Sequence, residues 1–345
     1  MLIFWLLSSI VTTVLAAPRL PQATTVSVKT HPNSVHAVTT QNGNLKVMTF
    51  NIWLSGAQVT DGMKKIAKHI VEVNPDVIAL QEVETNETIP ELLKLMGPEW
   101  TGVFRNRTYP DVGILTRHAI VVDSQVETEK GIGVHIALKS SDKMISFWCV
   151  HLEYRSYGPY AAFNKMVTDR SQIFAGELNT AFVEPGRVQN MQELVINEEF
   201  LLALTKSDKT PVFVCGDFNA PSHQDWINAT KHLHGDWEFP WPATKILVEH
   251  AGMIDSFREA HPDPLETPGN TWSTVQKFSG KEWGYSIPEP QDRIDFIFYR
   301  SPQLAIRDSR IYSGSMHLNP IPYHQENDYP SDHFSVITDF YFKQQ

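Results

Sequence analysis

The chain has 345 residues, 42% of them hydrophobic and 20% charged, with a formal net charge of −10. Those proportions belong to a packed globular protein and exclude a disordered one. The acidic surplus repels polyphosphate and so excludes a non-specific nucleic-acid coat. An enzyme that meets a phosphodiester through a local metal site remains open, because a bound cation reverses the field around it.

Leu2 to Ala17 is apolar and carries no charge, and Val14-Leu15-Ala16 fits a small-residue cleavage site. Residues 1–17 therefore read as a secretory signal. A retained membrane anchor is the competing reading, although the run is short for a span and no transmembrane span is expected elsewhere. Residues 18–44, rich in Pro, Thr, Ser, Val and Asn, are predicted to form an extended leader, followed by one domain over 45–345. Three sequons, beginning at Asn86, Asn106 and Asn228, agree with secretion and are candidate glycosylation sites. The chain has two cysteines, Cys149 and Cys215, too few for a disulfide scaffold. They are either two buried thiols or one demanding cross-strand bond.

Alternation in Leu45–Asn51 predicts a strand that Asn51 ends. Thr60-Asp61-Gly62 offers a cap for a helix carrying Met63, Ile66, Ala67, Ile70 and Val73 on one face, stopped by Asn74-Pro75. Asp76–Glu82 follows as a buried strand ending in an acid, and strand, helix, strand is an α/β pattern. Closely spaced antiparallel strands are predicted at Val112–Leu115, Ile120–Val122, Val134–Leu138 and Met144–Val150, the last running into His151. Tyr154 to Glu184 is polar and aromatic and reads either as a substrate-facing insertion or as a surface helix and loop. One helix is predicted from Arg187 to Leu204, with Met191, Leu194, Val195, Leu201 and Leu202 inward. Val212 to Asn219 is an apolar strand that delivers Asp217 and Asn219 to its end after Gly216. A Trp- and Pro-rich region then runs from Trp226 to Gln291, with a short helix at Ile246–His250. Strands at Asp292–Tyr299 and Phe334–Phe342 finish the chain.

Five strand ends thus carry polar residues: Asn51, Glu82, His151, Asp217 with Asn219, and Asp332 with His333. Singly, each has a plain explanation. Asp217 and Asn219 fit an Asx-turn, His151 a core histidine, and Asp295 an ion pair with Arg293. Together they point to a site. Oxygen donors dominate and no Cys/His zinc spacing occurs, so a hard cation such as Mg²⁺ is expected, with Mn²⁺ or Ca²⁺ as substitutes.

The stretches Phe50-Asn51, Leu80-Gln81-Glu82-Val83, Val150-His151, Gly216-Asp217-Phe218-Asn219, Arg293-Ile294-Asp295 and Ser331-Asp332-His333 resemble, in order and spacing, the endonuclease/exonuclease/phosphatase superfamily of metal-dependent phosphoesterases. The resemblance implies a four-layer α/β sandwich of the deoxyribonuclease I type, two packed mixed sheets flanked by helices. It implies His333 as the general base that activates water, Asp295 as the group orienting it, and His151 as donor to the leaving oxygen or stabiliser of the phosphorane. Asp111 falls where deoxyribonuclease-like members place an acid that orients such a histidine, and also reads as a turn residue. Glu82 would hold the metal with Asp332 as a second ligand, directly or through water, Asn51 and Asn219 would donate to the phosphate, and Asp217 would order the nucleophile or share a metal. The expected activity is hydrolysis of a phosphodiester by a monomer with no obligate protein partner. Nucleic acid is the expected substrate. A phospholipid, as in sphingomyelinases, or a small phosphodiester is the alternative. A non-catalytic secreted binding protein on the same scaffold is the reading from another class.

Overall fold

The computed structural model describes residues 43–344 apart from 140, 280–283 and 285. The expected signal and nearly all of the expected leader lie outside the described residues. The strands are β1 (Asn44–Asn51), β2 (Val77–Val83), β3 (Thr101–Phe104), β4 (Asp111–Thr116), β5 (Ala119–Ile120), β6 (Val126–Thr128), β7 (Gly131–Ala137), β8 (Met144–His151), β9 (Val212–Asp217), β10 (Ile254–Asp255), β11 (Phe278–Ser279), β12 (Ile287–Pro288), β13 (Asp295–Arg300), β14 (Leu304–Tyr312) and β15 (Ser335–Phe342). The helices are α1 (Gly62–Val73), α2 (Thr88–Met96), α3 (Gly158–Phe163), α4 (Arg170–Leu178), α5 (Arg187–Ile196), α6 (Glu198–Thr205), α7 (Pro242–Glu249) and α8 (Ser256–Ala260).

Among the described residues one sheet runs β14-β15-β1-β2-β4-β3 and the other β10-β13-β9-β8-β7-β5, with β6 also on β7. The pairs β1–β2 and β8–β9 are parallel and the remaining pairs antiparallel. Strand alternation sorts the apolar side chains into three layers of contact. Leu45 and Val47, Phe147 and Cys149, Phe213 and Cys215, and Ile297 and Tyr299 fill the space between the sheets. Met48, Phe50, Ile78 and Leu80 face outward onto α1 and α2, meeting Ile66, Ile70 and Leu92. Trp148, Val150, Val214, Phe296 and Phe298 face the other way onto α5, α6 and α7. Helix, sheet, sheet, helix is the four-layer order expected from the resemblance.

The same alternation places the polar strand ends. Asn51 follows Leu45 and Val47 in phase, His151 follows Phe147 and Cys149, and Asp217 follows Phe213 and Cys215. Asp295 precedes Ile297 and Tyr299 in phase. Each continues the inter-sheet face past the end of its apolar run, so the core turns polar at one edge. His151 is paired with Asp217 across β8–β9, and Asp217 with Asp295 across β9–β13, which sets three functional side chains abreast.

Several sequence expectations need correcting. The helix expected over Arg187–Leu204 is two, broken at Asn197, whose extended backbone (ψ 130°) and side-chain oxygen cap α6 by accepting from the N–H groups of Glu199 and Phe200. The break resets the helical phase, so Leu201 and Leu202 are 46% and 45% exposed while Phe200, Ala203 and Leu204 point inward. Asp61 holds the N-cap position of α1 without capping it, because its carboxylate takes Lys64 Nζ at 2.8 Å. The strand expected at Ile120–Val122 stops at Ile120, and Val122 is exposed. The helix expected at Ile246–His250 begins earlier, at Pro242. Helix α2 and the half-exposed strand β14 were not anticipated. Cys149 and Cys215 stand opposite each other on β8 and β9 as free buried thiols.

Candidate active site

The site lies at the edge where the inter-sheet face turns polar. Its centre is Asp217, 1% exposed, at the end of β9. Gly216 makes that end possible. Its φ is 152°, and a Cβ there would meet the Val150 carbonyl oxygen at 1.9 Å. Asp217 Oδ1 accepts from the Asn219 N–H at 2.7 Å, and Asn219 (φ 48°) turns its own Nδ2 back to the Leu152 carbonyl at 3.1 Å. Asp217 Oδ2 accepts from Asn51 Nδ2 at 3.0 Å.

Two imidazoles converge on that same oxygen. His151 Nε2 lies 3.6 Å from Asp217 Oδ2, and His333 Nε2 lies 3.7 Å from it. The far nitrogen of each ring is held by a carboxylate of its own: His151 Nδ1 by Asp111 Oδ1 at 2.7 Å, His333 Nδ1 by Asp295 Oδ2 at 2.9 Å. A carboxylate on Nδ1 fixes the ring orientation and leaves Nε2 as the working atom. Asp111 is therefore a partner of His151 and more than a turn residue. Arg293 does not pair with Asp295. It donates to Asp225 at 2.9 and 3.0 Å and to Asp255 at 2.7 Å, so a buried ion cluster anchors the chain just before β13.

Glu82 reaches the site by a different route. Alternation along β2 would send it outward with Ile78 and Leu80. The β2–β4 register shifts between Gln81 and Val83, and Glu82 sits in that bulge with φ 62°. A bulge re-aims a side chain, and here it turns the carboxylate into the cleft. Oε1 accepts from Asn51 Nδ2 at 3.0 Å and Oε2 from the Leu54 N–H at 2.7 Å. The Leu54 amide is aimed by a turn in which Trp53, Leu54 and Ser55 all have positive φ, at 43°, 53° and 55°. Asn51 thus has both amide hydrogens on carboxylates, where the resemblance implied donation to a phosphate. Ser331 ties the last loop down, donating to the Asn51 carbonyl at 2.7 Å and accepting from the His333 N–H at 3.0 Å.

Charge is concentrated here. Burial pulls His151 down, but Asp111 and Asp217 outweigh it and raise the ring to about 9. Burial also opposes protonation of His333, and Asp295 and Asp217 outweigh it, holding the ring well above the ordinary imidazole range. Burial and the nearby Asp295 push Asp217 up to about 6. Asp332 is pushed up to about 8, mainly by burial, with His333 opposing and Glu82 adding to the rise. Its Oδ1 is buried without a hydrogen-bond partner.

These facts test the site for a cation. Glu82 and Asp332 both line the cleft, and a buried, unpartnered carboxylate oxygen beside a second acid fits a hard divalent ion. Asp217, Asp295 and His333 also offer ligand atoms within 4.8 Å of one another. There, however, Asp295 and His333 hold each other, and both Asp217 oxygens already accept amide hydrogens. Each set holds one buried carboxylate oxygen without a hydrogen-bond partner, Oδ1 of Asp332 in the first and Oδ1 of Asp295 in the second, while both oxygens of Glu82, like both of Asp217, accept amide hydrogens.

The cleft over these groups measures about 470 Å³. Tyr154, Tyr157 and Tyr160 line it, so the start of the Tyr154–Glu184 segment faces the site, while its remainder is helix and loop away from the cleft lining. Trp53, Tyr109 and Trp272 line it as well and escaped the sequence reading. The Trp272 ring meets the His333 ring edge-on at 4.8 Å. Asn86, Asn106 and Asn228 are all exposed and none lines the cleft.

A family model described as the Endonuclease/Exonuclease/phosphatase family matches residues 48–333. The chain belongs to that family. Its members are in general phosphoesterases and nucleases that depend on a divalent metal. The Caenorhabditis elegans protein "Uncharacterized protein F14F9.5" is 49% identical over 303 residues, covering 88% of this chain and 93% of its own. Among solved structures the fold is similar to the human Nocturnin catalytic domain with bound sulfate, at 18% identity and a TM-score of 0.54, covering 88% of this chain and 96% of that one. It is also similar to D. rerio TDP2 complexed with single-strand DNA product, at 15% identity and a TM-score of 0.52, covering 86% and 98%. Truncated Caenorhabditis elegans TDP2 gives 16% and 0.52, covering 87% and 98%. At these identities the structural likeness concerns the fold.

Proposed function

We propose that the protein is a divalent-metal-dependent phosphodiesterase. The observation that carries this reading is the pair of His–Asp couples, His333 with Asp295 and His151 with Asp111, converging on one Asp217 oxygen at 3.7 and 3.6 Å. In-line displacement at phosphorus needs a base for the entering water on one side and an acid for the leaving oxygen on the other. His333 Nε2 takes the proton of the attacking water, with Asp295 fixing the ring and stabilising the cation that forms. Asp217 orients that water. His151 Nε2, raised by its two acids, gives a proton to the leaving oxygen. Asn51 positions Glu82 and Asp217, and Asn219 holds the Asp217 turn and lines the cleft beside the phosphate. Glu82 and Asp332 hold the metal, with Mg²⁺ as the expected ion. Bound there, a divalent cation supplies positive charge that offsets that of the phosphate and lowers the basicity of neighbouring imidazoles.

Of the substrate classes left by the sequence, a small or lipid-borne phosphodiester is favoured over nucleic acid. None of the described residues lining the cleft is Lys or Arg, and a strand of nucleic acid needs a basic track. The DNA in the D. rerio TDP2 structure belongs to that protein. Two intact His–Asp couples weigh against a non-catalytic binding protein. The same reading includes secretion as a glycosylated monomer, supported by the apolar run of residues 1–17 and by the exposure of the three sequon asparagines. Loss of apparent mass on deglycosylation tests that part.

The test of the chemistry is metal binding followed by turnover. Millimolar Mg²⁺ is expected to raise the unfolding temperature of the wild type and not of Glu82→Ala. The metal-loaded protein is expected to hydrolyse bis(p-nitrophenyl) phosphate faster than it nicks plasmid DNA. A chain that Mg²⁺ does not stabilise and that hydrolyses neither substrate contradicts the reading, and efficient metal-dependent nicking returns the substrate to nucleic acid.

A further inference from the structure

Above the acidic floor, the cleft is walled by the rings of Tyr157, Tyr160 and Trp272. Their polar ends are all turned away, onto two buried carboxylates. Tyr160 Oη and Trp272 Nε1 both donate to Glu289 Oε1, the latter at 3.0 Å. Tyr157 Oη donates to Asp292 Oδ2 at 3.0 Å, and Trp226 Nε1 takes the other Asp292 oxygen at 2.8 Å. Glu289 and Asp292 are each 3% exposed. Burial pushes Asp292 up to about 6, and the donors Trp226 and Tyr157 hold it down.

This anchoring has two physical effects. The rings offer a ligand their faces and edges instead of hydrogen-bond donors, so they are poorly suited to reading base edges. A phenol or indole that donates to a carboxylate gains electron density in its ring, and the buried charge adds a negative potential behind it. Both effects strengthen attraction of a cation to the ring. No Lys or Arg is among the described lining residues, and the cationic groups that do line the cleft, His151 and His333, belong to the floor where the phosphate sits.

We propose that this wall is an ammonium subsite, and that the preferred substrate is a zwitterionic phosphodiester with its phosphate on the floor and its ammonium group among Tyr157, Tyr160 and Trp272. The proposal rests on the phosphodiesterase reading above. A short choline or ethanolamine spacer joins the two charges, and such a group occurs both in lipid headgroups and in soluble glycerophosphodiesters. The structure offers a means of separating those sources. Phe182 and Val183, in the turn between α4 and α5, are 70% and 85% exposed. Phe182 is linked to the rim at Tyr154 through Arg155, whose guanidinium lies 5.5 Å from both the Tyr154 and Phe182 rings.

The test compares kcat/KM for p-nitrophenyl phosphorylcholine with that for the carbon isostere that lacks the ammonium charge, p-nitrophenyl neohexyl phosphate, both with Mg²⁺ present. The expected preference for the choline ester is about tenfold, the range of a desolvated cation–π contact. Tyr160→Leu is expected to bring the ratio close to one. Tetramethylammonium chloride is expected to inhibit the wild type by raising KM with kcat unchanged, a readout that needs no variant to fold. Equal rates on the two esters with no inhibition by tetramethylammonium overturn the subsite and leave the phosphodiesterase reading standing. Hydrolysis of neither ester removes both. For the source, phosphatidylcholine vesicles and glycerophosphocholine are compared in the wild type and in Phe182→Ser with Val183→Ser. Vesicle turnover that falls severalfold in the double variant places the headgroup in a lipid surface. Turnover of glycerophosphocholine alone places it in a soluble ester. Either result supports the ammonium subsite, and turnover of neither, with equal rates on the chromogenic pair, contradicts it.

Discussion

On the floor of the cleft, Asn51, His151, Asp217 and Asp295 stand on strands of the two packed sheets, in register and almost wholly buried. On the wall, Tyr154, Tyr157, Tyr160 and Trp272 come from loops and a short helix and remain partly exposed, and all but Tyr154 are held by hydrogen bonds to Glu289 or Asp292, which for Tyr157 and Tyr160 cross more than a hundred residues of chain. The floor inherits its precision from the sheets, where moving one side chain means moving a strand. The wall is adjustable, because its rings can change without disturbing a register. Chemistry on the floor and selectivity on the wall is the division of labour this suggests.

The largest expected effect breaks the floor. His333→Ala should keep the fold and lose about 10²–10⁴-fold in kcat on every phosphodiester, the range for removing a general base, as read by steady-state kinetics beside circular dichroism. Removing Arg293 should break the support under the floor instead. Arg293→Ala leaves Asp255 buried without its side-chain partner and Asp225 with Arg258 alone, and should cost about 3–5 kcal/mol of stability, measured by urea unfolding. Asp111→Asn should lower kcat by roughly tenfold to a hundredfold, at the low end of acid–base effects because it acts through His151, with the loss growing for poorer leaving groups. An equal loss for good and poor leaving groups would deny His151 its role as acid.

The smallest expected effect lies behind the wall. His234 stacks on Trp226 with centroids 4.2 Å apart, and burial pushes it down to about 4. The unfolded chain binds a proton at His234 below about pH 6.5, whereas the folded chain does so only near 4. Its neutral ring therefore stabilises the fold fully above 6.5, and that contribution is lost as pH falls from 6.5 towards 4. Compared with His234→Gln, the wild type should lose on the order of 1–3 kcal/mol across that window. Parallel stability curves for the two proteins would refute this.

The floor was largely legible in the sequence because alternation is a local property. A polar residue two places beyond the last inward apolar one must face the same way, as with Cys149 and His151 or Cys215 and Asp217. Glu82 was legible as a strand-end acid, but its aim was not, since the bulge that turns it inward depends on pairing with β4. Asp111 showed only a weak sign, because its partner His151 is brought to it by the packing of one sheet on the other. The wall was nearly invisible. Tyr154, Tyr157 and Tyr160 drew notice as a cluster of aromatics, while Trp272, Glu289 and Asp292 carry no periodicity and find their partners only in the fold. The break at Asn197 was hidden for a related reason. Apolar residues continue on both sides of it, and the cap that ends one helix period and starts another is a single polar side chain.

The measurement that tests the central claim most directly is hydrolysis of bis(p-nitrophenyl) phosphate by the purified protein with Mg²⁺, with EDTA, and in His333→Ala. The account predicts turnover that EDTA abolishes and that His333→Ala reduces by about a hundredfold or more while the variant stays folded. A folded His333→Ala that turns over at near the wild-type rate, or wild-type turnover indifferent to EDTA, would contradict it.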